Sequence, residues 1–264
     1  MAKRSTYSVV LGRNDPVRIV PLSLPREIVQ PTSDLALAPA AAANLTYRGG
    51  PLLTAVEVVT IFWGAAWETA QAALVGQVND FFDFILGSPL LDQLAEYSVA
   101  GRTIGHGRRT GTVTIGAPAP PASVTDSAIR VFLQHQLATN SSIPPAGPNS
   151  LYFLFMPPGV AVVQGGSKSC QAFCGYHDAI GNQLFYAVEP YPGCMGCRGG
   201  LALFDALTTT CSHELCEAIT DPIPGGGWYD ELHGEIGDIC AWETKKLGMY
   251  TIQLEWSNAN ARCV

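Results

Sequence analysis

One stretch near the C-terminal end constrains this chain more than any other. Residues 201–220 (LALFDALTTTCSHELCEAIT) read as a long helix that Asp221-Pro222 stops, because a residue before proline is steered away from the α conformation. His213 and Glu217 are four residues apart in it and therefore stand on one helix face. Glu214 is rotated from them by about 100°, and Asp221 follows one turn after Glu217. The flanks (LTTTCS, AIT) carry almost no charge, so these acids lie in apolar company, where an unpaired charge is costly.

This is the geometry of the HExxH zinc helix, in which the i and i+4 side chains bind metal and the adjacent glutamate acts as general base. Here Glu217 replaces the second histidine, and a carboxylate is an accepted zinc ligand. A catalytic zinc also needs a third protein ligand and an open position. Two acids lie downstream in GEIGDIC, across the glycine-rich PGGGWYD segment. Glu235 is the preferred third ligand, with Asp238 accepting the other ring N–H of His213; the reverse assignment is also open, and Asp221 and His233 are reserve ligands. One histidine with two carboxylates suits zinc but would also accept Mn2+, Fe2+ or Ca2+. The expected chemistry is peptide-bond hydrolysis by a metal-activated water, with Glu214 as general base. Tyr229 and His177 are candidate donors to the oxyanion. Against this stands the plain alternative that HExxE is a solvated helix face with i,i+4 spacing.

The rest of the chain frames that helix. Strands are expected over 54–63, 110–116, 150–159, 183–191 and 248–257, and helices over 67–89, 90–97 and 125–138, the last capped by Thr125 or Asp126. The order implies one mixed-sheet α/β (α+β) domain over 46–264. Residues 1–45, with several prolines and an Ala-rich run, read as an extended arm or pro-segment. With 15 Lys+Arg against 22 Asp+Glu and a net charge of −7, a nucleic-acid surface is not expected; the basic run Arg102–Arg109 reads as a solvated loop. The longest apolar run, 52–67, contains Glu57, so no membrane span is expected. The partner is instead a peptide or protein substrate.

All eight cysteines fall at or after Cys170. An even, clustered set favours disulfides and an oxidising compartment, although no signal peptide is visible at the N-terminus. A zinc ribbon built from Cys170, Cys174, Cys194 and Cys197 is the rival.

Several blocks together resemble a known family. SHELCEAITDP, GWYDELHGEIGDIC, LTYRGGPLLTAVEVVTIFWG (45–64), CQAFCGYH (170–177) and PGCMGC (192–197) are similar to segments of bacterial and fungal relatives of the plant phosphate-induced, or EXORDIUM-like, proteins. The resemblance covers roughly residues 45–245. It implies a secreted protein with a zincin-like domain and, for the microbial members, a zinc-dependent peptidase. His213, Glu214 and Glu217 then match motif positions, Glu235 and Asp238 lie in the shared GEIGD block, and His177 has a structural or binding role. This chain departs from the pattern at Cys211 and Cys216, where a bridge across the helix is open. The alternative function is a non-catalytic extracellular binding protein of the cell wall or of polysaccharide, with a structural metal or none.

Overall fold

The computed structural model describes residues 19–23 and 42–264. Its centre is a six-stranded mixed sheet in the order Ile19–Pro21, Phe173–Ile180, Leu184–Glu189, Ser150–Phe155, Glu57–Trp63 and Arg108–Ile115. The last four run parallel. Phe173–Ile180 is antiparallel to Leu184–Glu189, and Ile19–Pro21 is antiparallel to Phe173–Ile180. Of the arm expected over 1–45, Ile19–Pro21 is thus an edge strand; residues 1–18 and 24–41 lie outside the described residues.

Helices cover both faces of the sheet, so its central strands are apolar throughout rather than alternating with polar residues. In Glu57–Trp63, Val58 and Phe62 point to one core and Val59, Ile61 and Trp63 to the other. The first core is filled by α1 (Ala72–Ile85), α2 (Pro89–Leu94) and α4 (Leu203–Thr220); the second by α3 (Asp126–Thr139). Thr125 caps α3, its hydroxyl accepting from the Ala128 N–H. The α2 cap is Ser88, with Pro89 at the first helical position, where its missing N–H costs nothing.

Helix α4 packs on Phe173–Ile180, Leu184–Glu189 and the strand Tyr250–Gln253, and is buried without interruption from Ala206 to Thr220. A buried helix rich in hydroxyls must satisfy them internally. Thr209, Thr210 and Thr220 donate to the carbonyls of Asp205, Ala206 and Cys216, four residues back in each case, and Ser212 donates to Thr209.

The expected elements are present with shifted ends: the helix expected over 67–89 is Ala72–Ile85, the strand expected over 110–116 is Arg108–Ile115, and the tail expected over 248–257 splits into Tyr250–Gln253 and Trp256–Ser257. Several strands were not anticipated, and the one that bears on the site is Phe173–Ile180. Phe173–Ile180 (FCGYHDAI) mixes cysteine, glycine, histidine and aspartate, so it lacks the β-branched run that marks a buried strand.

Six cysteines form three disulfides: Cys170–Cys194, Cys174–Cys197 and Cys240–Cys263. The first two tie the start of Phe173–Ile180 to the turn that leads into α4, and they consume the four cysteines of the alternative zinc ribbon. No bridge crosses α4, because Cys211 and Cys216 are free and buried. Among the described residues no helix is long and apolar enough to cross a membrane.

Candidate metal centre

Two glycines let backbone close on α4. Gly175 lies so near that a Cβ there would stand 2.7 Å from Thr210 Cγ2 and 3.2 Å from Glu214 Oε1. At Gly237 a Cβ would stand 2.8 Å from His213 Nδ1 and 2.9 Å from Glu217 Oε1. The first contact sets the strand Phe173–Ile180 against the helix. Its alternation turns Gly175, His177 and Ala179 toward α4, while Tyr176 and Asp178 meet Asp126 and Arg130 on the opposite face. The second contact brings 234-GEIGDIC-240 across the helix end.

Asp221 organises that return. Its carboxylate accepts from the N–H groups of Gly225, Gly226 and Gly227, which turns the chain immediately after α4. The Gly-rich segment then delivers Glu235 and Asp238 to the helix.

Four site side chains, His177, His213, Glu214 and Glu217, converge with Glu235 in a space closed to solvent; each is 0 % exposed. His213 Nε2 lies 3.0 Å from Glu217 Oε1, and Glu217 Oε1 accepts from the Asp238 N–H at 3.0 Å. His177 Nδ1 lies 3.1 Å from Glu214 Oε2 and 3.5 Å from Glu217 Oε2, and its Nε2 lies 3.5 Å from Glu235 Oε1. Two triads have ligand atoms within 4.8 Å of one another: His213, Glu217 and Asp238, and His177, Glu214 and Glu217. The member from the GEIGD block in the first triad is Asp238. Glu235 stands instead beside His177.

The histidine rings are held by neighbours outside the cluster. Gln253, fully buried, receives the Trp242 N–H on its carbonyl oxygen. Its amide nitrogen donates to Gly237 O at 2.9 Å and lies 2.8 Å from His213 Nδ1. The amide N–H can only donate, so His213 Nδ1 is the accepting nitrogen, and Nε2 is turned to Glu217. His177 Nε2 lies 3.1 Å from the Asp221 carbonyl, which can only accept. Nε2 therefore carries a proton, and Nδ1 faces the glutamates.

The charge balance is the unusual feature. Among the described residues, the basic groups within ion-pair distance of Glu214, Glu217 and Glu235 are the two histidines alone. Burial pushes Glu214 and Glu235 up. Glu217 is also pushed up by burial, but His213 and His177 outweigh this and bring it down to about 2. Burial lowers both histidines, yet the surrounding carboxylates drive them well above the usual imidazole range. Glu214 Oε1, Glu217 Oε2, both Glu235 oxygens and His213 Nε2 have no hydrogen-bond partner. Buried carboxylate oxygens left unpartnered and converging on two imidazoles are what a divalent cation satisfies, and the donor set fits one.

Two further buried acids were not singled out in the sequence. Glu189 and Glu255 have unpartnered carboxyls, and burial holds both well above the usual range. Glu189 reaches α4 because its position in Leu184–Glu189 follows Phe185 and Ala187 on the α4 face. Gln253 was missed as well; its strand alternates, but a glutamine at an inward position carries no motif. Of the remaining predicted residues, His233 pairs with Asp230 at 2.8 Å. Tyr229 lies in the two-stranded ribbon with Thr46–Tyr47, the Arg48 guanidinium 4.2 Å above its ring.

Comparison with protein-family models, with curated proteins and with solved structures found no match to this chain.

Proposed function

We propose that the chain is a zincin-like, metal-dependent hydrolase that cleaves peptide bonds. The observation that carries this reading is Glu214 Oε1, a buried, unpartnered oxygen adjacent in sequence to His213 of the His213–Glu217–Asp238 triad. That triad would hold the ion, with zinc the expected occupant and Mn2+ or Fe2+ compatible with its oxygen-rich donors. A divalent ion there supplies Lewis acidity and lowers the pKa of water. Glu214 supplies the proton acceptor. Burial raises its carboxyl toward the range that suits a general base, while the His177 contact pulls the other way. Gln253 and the Asp221 carbonyl keep the two imidazoles aimed inward. Three disulfides and the resemblance to secreted EXORDIUM-like proteins support an extracellular location.

The test is peptide cleavage by the purified chain before and after a tight zinc chelator, and by Glu214→Gln. Both treatments are expected to abolish turnover. Cleavage that persists in the Gln variant would falsify the proposed mechanism.

One observation favours a second reading, a non-catalytic extracellular binding protein. His177, His213, Glu214, Glu217 and Glu235 are all sealed from solvent, as around a structural ion. A tightly held ion, or calcium, in a chain without peptidase activity would support it.

A further inference from the structure

We propose that the cluster is built for two divalent cations bridged by Glu217. The inference deepens the metallohydrolase reading and rests on it. Its basis is the orientation of one carboxylate. Glu217 Oε1 faces His213 Nε2 at 3.0 Å, and Glu217 Oε2 faces His177 Nδ1 at 3.5 Å. Each oxygen therefore belongs to a different histidine, and the two histidines fall in different triads that share Glu217 alone. A carboxylate divided in this way is the element that links paired ions about 3.5–4 Å apart in two-metal hydrolases.

The His177 side has the marks of a built site. His177, Glu214 and Glu217 are fully buried, and Glu214 Oε1 and Glu217 Oε2 make no hydrogen bond. The Asp221 carbonyl takes the Nε2–H of His177, so Nδ1, which faces the two glutamates, is the nitrogen an ion would take. A backbone acceptor that fixes the tautomer in this way is the usual outer support of a metal-ligating histidine. The first ion would take His213, Glu217 and Asp238. The second would take His177, Glu217 and Glu214 through Oε2, the oxygen that faces His177, which leaves Glu214 Oε1 as the proton acceptor. Each set is one imidazole and two carboxylates, which suits Zn2+ or Mn2+. Glu235, beside His177 Nε2 and unpartnered, adds a further buried acid next to the second site.

The test counts ions independently of turnover. Purified full-length chain is stripped with chelator, dialysed against Mn2+ and analysed for metal content and by electron paramagnetic resonance. Two Mn2+ per chain with an exchange-coupled spectrum are expected. His177→Ala is expected to bind one ion and give an uncoupled six-line spectrum. A wild-type chain that saturates at one ion, or at two ions with no coupling, overturns the inference. The wild-type spectrum decides the question even if the variant fails to fold. Peptide cleavage with a single ion would leave the hydrolase reading standing and remove the second site. A coupled pair without cleavage would do the reverse.

Discussion

Gly237 presses its backbone against the ring of His213, so closely that a Cβ would stand 2.8 Å from Nδ1. The same atom would stand 2.9 Å from Glu217 Oε1. Gly237→Ala must therefore displace one of the two side chains or the loop. We expect a loss of about 1–3 kcal/mol and at least a tenfold fall in ion affinity. Gly76→Ala is the control: it is exposed on α1, with nothing within 4 Å of the added Cβ, and should gain about 0.5–1 kcal/mol. Denaturant unfolding and metal titration of the pair check both; equal behaviour of the two variants would refute the close contact.

Gln253 has no counterpart in the motif, yet it holds the His213 ring, the Gly237 carbonyl and the Trp242 N–H together. Gln253→Leu fills similar volume and leaves those groups unpaired. Ion affinity should drop roughly 10–100-fold, the usual effect of removing an outer-shell partner. Stability should fall by about 1–3 kcal/mol. Isothermal titration with Zn2+ measures the first, and unchanged affinity would remove Gln253 from the site.

Thiol counting tests the cysteine assignment. Cys211 and Cys216 are free and buried, and burial pushes both thiols well above the usual range. A thiol reagent at mild pH should label none in the native chain and two after denaturation without reductant. No labelling after denaturation would mean a fourth disulfide.

Asp230 provides a pH signature away from the buried His–Glu cluster. Burial pushes its carboxyl up, but the N–H groups of Asn44, Leu232 and His233, with the His233 ring, outweigh this and hold it below the usual range. A depressed folded pKa means stabilisation that is complete above the unfolded value of about 3.9 and is lost as pH falls through the lower folded value. Asp230→Asn should cost about 1–2 kcal/mol at neutral pH and flatten part of the acid-side decline. Urea unfolding across a pH series shows this; parallel declines in both proteins would count against it.

The helix and its His213–Glu217 spacing were legible in the sequence because they are local. A 3.6-residue period puts His213 beside Glu217 whatever surrounds them, and Pro222 ends the helix wherever it lies. The central strands were legible for the same reason, as apolar runs between turn signals. Phe173–Ile180 was not: its composition is dictated by what each face meets, with His177 turned to α4 and Asp178 to Arg130.

The sequence by itself determined one mixed α/β domain, its HExxE helix, and a cysteine set suited to cross-linking. Only the tertiary structure decided that Asp238 completes the His213 triad, that Glu235 belongs to His177, and that His177, Glu189, Gln253 and Glu255 surround the same helix. The reason is range. Helix geometry follows from neighbours three and four residues apart, whereas the buried His–Glu cluster depends on where a strand and a glycine-rich return cross that helix, and those crossings are set by packing among residues distant in the chain.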